Sequence, residues 1–64
     1  MTTEKYPAYA LELGDQIMIN DNIYRICLIS DTLNGYRLFV VDEDGGSHNV
    51  DCETRKEFRV LCDA

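Results

Sequence analysis

Four side chains of this sequence have the types that ligate metals or attack carbonyl carbons: Cys27, His48, Cys52 and Cys62. By composition they could make a zinc site. Structural zinc motifs place their ligands in close pairs, and these four are scattered over three stretches without such a pair. The cysteines are therefore expected to pack as small hydrophobes, and His48 to face solvent. A cysteine nucleophile needs an oriented base beside it. His48 is the single histidine, and no glycine-rich oxyanion turn surrounds either Cys52 or Cys62. Glu53 and Glu57 without a cleft read as a solvated face, and Gly45-Gly46 as a turn, with no phosphate-loop or dinucleotide fingerprint. The chain is read as having no catalytic residue, no metal ligand and no cofactor.

The run Asp42-Glu43-Asp44-Gly45-Gly46-Ser47 invites comparison with a calcium loop. Counting from Asp42, Asp44 and Glu53 fall at the third and twelfth positions of an EF-hand loop. Gly46 then stands where a ligand is needed, Ser47 stands where the sharp turn needs glycine, and flanking helices are missing. A hairpin turn explains the run without a metal.

The remaining candidates are arginines. Arg25, Arg37 and Arg59 lie in apolar stretches that read as strands. A face carrying Arg25, Ile29, Tyr36, Arg37, Phe39 and Val41 mixes arginine, aromatic and aliphatic side chains, the composition of interface centres. Single-strand nucleic-acid platforms share it. A plain surface ion pair, Arg37 with Asp31, is the competing explanation for one of these arginines.

The elements that must position these residues centre on Ile23 to Asp44. Ile23–Ser30 runs in, Leu33-Asn34-Gly35 turns and Tyr36–Asp42 runs back, with Asn-Gly as a strong hairpin signal. A three-residue loop sets Asp31 opposite Arg37, Ile29 opposite Phe39 and Leu28 opposite Val40; a strict Asn-Gly loop matches charges less well. In the preferred register Ile26, Leu28, Leu38 and Val40 face the core. Ile23, Cys27, Ile29, Phe39 and Val41 then face outward, leaving both faces apolar, which half-buried antiparallel strands usually avoid. Either the strands bend to bury part of that face, or it meets a partner.

Elsewhere, Leu11-Glu12-Leu13 alternates, Gly14-Asp15 bends, and Gln16–Ile19 alternates as a half-buried strand. Asn20-Asp21-Asn22 makes a turn. Ser47–Asp51 is a short strand, and Cys52–Lys56 fits one helical or 3₁₀ turn with Thr54 as cap. Glu57–Cys62 is the last strand, with Phe58, Val60 and Cys62 on one face. Residues 1–8 read as a flexible N-terminal tail, which Tyr6 and Tyr9 could pin to residues 9–64, the single domain.

Five short strands with a 3₁₀ turn before the last define an all-β fold that resembles the SH3-like small barrel from Leu11 to Cys62. Leu13-Gly14-Asp15-Gln16-Ile17-Met18-Ile19, a short turn and Ile23-Tyr24-Arg25-Ile26 are similar to the opening hairpin of KOW-type barrels and of the first domain of translation elongation factor P. The resemblance implies a fold. Ribosome-associated members are typically basic, and the turn from Asp31 to Gly35 has no counterpart of the modified lysine of factor P.

Size and charge bound the function. With 64 residues the chain is one domain whose core supplies only about 3–5 kcal/mol, leaving little room for a deep active site. Twelve acids against six bases give a net charge of −6. That opposes broad phosphate binding and attraction to anionic membranes, and favours basic partners. The three cysteines, odd in number and widely spaced, suit free thiols in a reducing cytoplasm. The first residues lack the cationic apolar pattern of a signal segment, so none is expected, and no apolar run reaches membrane length. The reading is a non-catalytic protein-interaction module, with a protein partner or a second copy of itself. It is similar in size and charge to small bacteriophage accessory proteins. The alternatives are an acidic nucleic-acid mimic acting through Asp42, Glu43, Asp44, Asp51 and Glu53, and a nucleic-acid-binding barrel acting through Arg25 and Arg37.

Overall fold

A computed structural model of the chain describes residues 2–62. They are all-β. The strands are β1 (Thr2–Pro7), β2 (Gln16–Ile19), β3 (Asn22–Asp31), β4 (Gly35–Asp42), β5 (Ser47–Glu53) and β6 (Glu57–Cys62), with a 3₁₀ turn at Ala8–Ala10. They form one antiparallel sheet in the order β1-β6-β2-β3-β4-β5, so β1 and β5 are its edges and the sheet is not closed.

Several expectations are corrected here. Within the expected tail, residues 2–7 form the edge strand β1, paired with β6 from Thr2 opposite Cys62 to Pro7 opposite Glu57, and Ala8 opens the 3₁₀ turn with its side chain buried. Backbone pairing holds β1, and of its side chains Tyr6 is the one that packs on the core. The strand count is six, not five. The 3₁₀ turn precedes β2 rather than β6: Cys52 and Glu53 belong to β5, and Thr54-Arg55 is a plain turn closed by the Lys56 amide donating to the Glu53 carbonyl at 3.1 Å. The alternating Leu11-Glu12-Leu13 stretch, which lies outside the five expected strands, forms no strand; Leu11 is buried, while Leu13 is exposed.

The core lies on the inner face. Ile17, Ile26, Leu38 and Val40 are fully buried, joined by Ala8, Leu11, Phe58 and Val60. Burying each large aliphatic or aromatic side chain is worth roughly 1.5–3 kcal/mol, so these alternating positions fix which face of every central strand turns inward. The face shared by Phe58, Val60 and Cys62 is as expected, with Cys62 half-buried.

Two turns set the register. At the β2–β3 hairpin Asn20 and Asp21 have φ of 51° and 67°, between paired Ile19 and Asn22. This is the left-handed two-residue turn that matches strand twist, and Asn and Asp tolerate it. At the β3–β4 hairpin neither Asn34 nor Gly35 has positive φ. The Thr32 amide donates to the Gly35 carbonyl at 2.9 Å, so the loop is Leu33-Asn34 and Gly35 already belongs to β4. A Cβ on Gly35 would collide with the Cys52 carbonyl of β5; glycine is required there for close approach.

The consequence is a register different from both considered in the sequence. Asp31 faces Tyr36, Ser30 faces Arg37, Ile29 faces Leu38 and Leu28 faces Phe39, then the register shifts at Cys27 and Ile26 faces Val40. This β-bulge gives β3 an extra residue, bends it and increases its twist. On its other side β3 meets the Gly14-Asp15 turn: the Gly14 amide donates to the Ile26 carbonyl at 2.8 Å, and the Ile26 amide to the Asp15 carbonyl at 2.9 Å.

Candidate functional site

The bulge reverses the faces of the residues before Asp31. Ile26 points inward, Leu28 is 51% exposed, and Ile29 packs against the core. The expected outward Ile29 and inward Leu28 are thus exchanged. Tyr36 also packs on the core and leaves the expected outward set. Phe39 and Val41 alternate with buried Leu38 and Val40, so they share the outer face, where both are half-buried.

Leu28 lies opposite Phe39, Val41 opposite Arg25, and Ile23 opposite Met18. The strand alternation links these pairs into one apolar band across the outside of β2, β3 and β4, with Arg25 set in it. Ile23, Arg25, Cys27 and Val41 line a shallow hollow of about 450 Å³ on this band, and Glu43 stands at the same hollow. Of the expected face, Arg25, Arg37, Phe39 and Val41 are brought together. Leu28 and Met18 were missed, Leu28 because the unbroken apolar run Ile26-Cys27-Leu28-Ile29 hides the bulge; Ile23, expected outward, lies in the band opposite Met18.

Arg37 does not pair with Asp31. Its Nε donates to Asp51 Oδ1 at 2.7 Å and its Nη2 to Asp51 Oδ2 at 3.3 Å, across the β4–β5 pair. The forked guanidinium holds the Asp51 carboxyl below the usual aspartate range, and the carboxylate in turn raises the arginine's affinity for its proton. Both side chains are exposed to water, so the pair fixes orientation more than it stabilises.

Of the five candidate acids, Asp42 organises the β4–β5 turn. Its Oδ1 accepts from the amides of Asp44 (2.9 Å) and Gly46 (2.8 Å), and His48 Nε2 donates to its Oδ2 at 2.7 Å. The His48 hydrogen bond first, then the Gly46 amide, hold its carboxyl below the usual range. Gly45 takes the positive φ of this turn, 89°. His48 is exposed, as expected, and its ring meets Tyr24 edge-on with centroids 5.4 Å apart. Asp42 and Asp51 are thus already engaged, whereas Glu43, Asp44 and Glu53 are exposed and form no ion pair among the described residues.

The cysteines are free thiols in three different settings. Cys27 sits exposed on the bulge. Cys52 is half-buried and its Sγ donates to the Tyr36 carbonyl at 3.6 Å; burial pushes its thiol up. Cys62 is half-buried at the end of β6. Among the described residues no three His, Cys, Asp or Glu side chains converge as a metal site. The Tyr6 hydroxyl donates to Glu4 Oε2, which pushes the phenol up to about 12. No helix among the described residues is long and apolar enough to cross a membrane.

No protein-family model matches this sequence, and no curated protein matches it.

Proposed function

We propose that the chain is a non-catalytic protein-interaction module that docks through the outer face of β2, β3 and β4, with a second copy of itself as the occupant. The observation that carries this reading is the apolar band of Met18, Ile23, Val41, Phe39 and Leu28 on the face turned away from the core, with Leu28 51% exposed. The hollow in the band carries both signs of charge, Arg25 and Glu43. A two-fold interface places each residue of one copy against its complement on the other, so these two groups supply a reciprocal pair of contacts. Self-association read by light scattering, in wild type and Phe39→Ser, tests it.

The small-barrel kinship belongs to the same proposal. It is supported by β2 to β6, in which the last strand returns to pair with β2; β1 would be an addition at the edge. Three free thiols support a reducing, cytoplasmic setting. The acidic-mimic reading is weakened by the engagement of Asp42 with His48 and of Asp51 with Arg37, and the nucleic-acid reading by that same commitment of Arg37.

A further inference from the structure

A protein of net charge −6 keeps four of its six lysines and arginines on one groove: Lys5, Arg55, Lys56 and Arg59. The groove is open, about 850 Å³, and runs between the β2–β3 and β5–β6 turns. None of the four cations forms an ion pair among the described residues, although Asp21 and Glu57 also line the groove.

The placement of two of them is unfavourable within the chain. Lys5 of β1 stands directly opposite Arg59 of β6. Like charges at directly opposed cross-strand positions, with Cβ atoms about 4.5–5.5 Å apart, are destabilising. The Arg55-Lys56 turn is tied to the chain on its backbone side, where the Ala8 amide donates to the Lys56 carbonyl at 2.8 Å. The cations therefore sit on a frame tied at its backbone, and none of them is paired with Asp21 or Glu57 among the described residues.

We propose that this groove binds an acidic segment of a partner protein, its carboxylates held by Arg59, Arg55, Lys56 and Lys5. Arginine forks match carboxylate geometry, and a carboxylate between Lys5 and Arg59 removes their repulsion. Met18, opposite Arg59 on its other side, supplies apolar surface for a neighbouring aliphatic side chain. Nucleic acid fits less well. Single strands need exposed rings for base stacking, whereas the one aromatic residue lining the groove, Phe58, is only 7% exposed. A long polyanion would also meet the acidic remainder of the surface. The site adjoins the apolar band through Met18, which lies opposite both Ile23 and Arg59, but its four cations lie outside that band, and peptide binding is read independently of self-association.

Fluorescence anisotropy of a labelled peptide of repeated Glu-Glu-Leu, titrated with the full chain at about 50 mM salt, reads the site directly. Saturable binding is expected, weakened strongly at about 200 mM salt, reduced more than about tenfold by Arg59→Glu with Lys56→Glu, and retained in Arg25→Glu and Phe39→Ser. Lys5→Glu, which turns a like-charged pair into an opposite one, is expected to raise the thermal midpoint while weakening the peptide. Absence of saturable peptide binding, unchanged binding by the double reversal in a variant that circular dichroism shows folded, or tighter binding of a labelled oligothymidylate than of the peptide would each overturn the proposal.

Discussion

Leu28 stands opposite Phe39 on the outer face of the β3–β4 pair, next to the bulge at Cys27, while Ile26 on the other side of that bulge is fully buried. One inserted residue therefore decides which aliphatic side chain builds the core and which is left on the outer face.

That assignment has a direct consequence for stability. Leu28→Lys is expected to change unfolding free energy by no more than about 0.5 kcal/mol, as exposed substitutions do. Ile26→Ala is expected to remove about 2–5 kcal/mol, enough to unfold so small a domain. Urea titrations of the two variants check this. A large loss in Leu28→Lys would mean that the side chain is inward.

Asp42 should make the fold sensitive to acid. Its carboxyl is held low in the folded chain by His48 and the Gly46 amide. A group whose folded value is depressed stabilises the fold above its unfolded value, and that contribution is lost as pH falls through the folded value. Asp51, held low by Arg37, acts in the same direction. Denaturation midpoints measured from about pH 6 down to about pH 2 should fall less steeply in Asp42→Asn than in wild type, because the variant has no charge to lose at that position. At the upper end Asp42→Ala should be the less stable of the two variants, since it also removes the acceptor of two turn amides.

Gly35 is fixed by proximity to β5. Gly35→Ala should destabilise by roughly 1–3 kcal/mol, the usual effect of forcing atoms into a packed site, because its new methyl would meet the Cys52 carbonyl and the Glu53 Cα. At Asn34, which is exposed and has no positive φ, replacement by alanine should be nearly neutral. Thermal denaturation of the two variants separates the close-approach explanation from a left-handed turn, which would make Asn34 the sensitive position.

Thiol chemistry should rank the cysteines. Cys27 is exposed on the bulge, while burial pushes the Cys52 thiol up, and the thiolate is the reactive form. Iodoacetamide labelling followed by peptide mass analysis should modify Cys27 first and Cys52 slowly. Comparable rates at the two positions would contradict the placement of Cys27 outside and Cys52 inside.

The sequence made much of this fold legible, and the misses have physical causes. Glu57–Cys62 was readable because Phe58 and Val60 alternate with charged residues, and Gln16–Ile19 because Ile17 and Ile19 alternate with Gln16 and Met18. The β3–β4 register was not. Ile26-Cys27-Leu28-Ile29 is apolar at every position, so its pattern reads the same in any register and hides a bulge. Asn34-Gly35 carries a strong turn signal, but β5 approaches too closely at Gly35 for any other residue, and the left-handed turn is made by Asn20-Asp21 instead. Thr2–Pro7 escaped because an edge strand held by backbone pairing needs no apolar alternation. The candidate face was half legible: Arg25, Arg37, Phe39 and Val41 fall together, whereas Ile29 and Tyr36 turn inward. The groove at Arg59 could not be read from the sequence, because Lys5 lies far from it along the chain and only β1–β6 pairing brings them together.

The most direct measurement of the proposed function is the molar mass in solution, followed by light scattering over a concentration series for wild type and Phe39→Ser. Docking of a second copy on the outer face predicts that wild-type mass rises to that of a dimer, while Phe39→Ser stays monomeric with an unchanged circular dichroism spectrum. A wild type that remains monomeric across the series, or a Phe39→Ser variant that dimerises equally well, would contradict it.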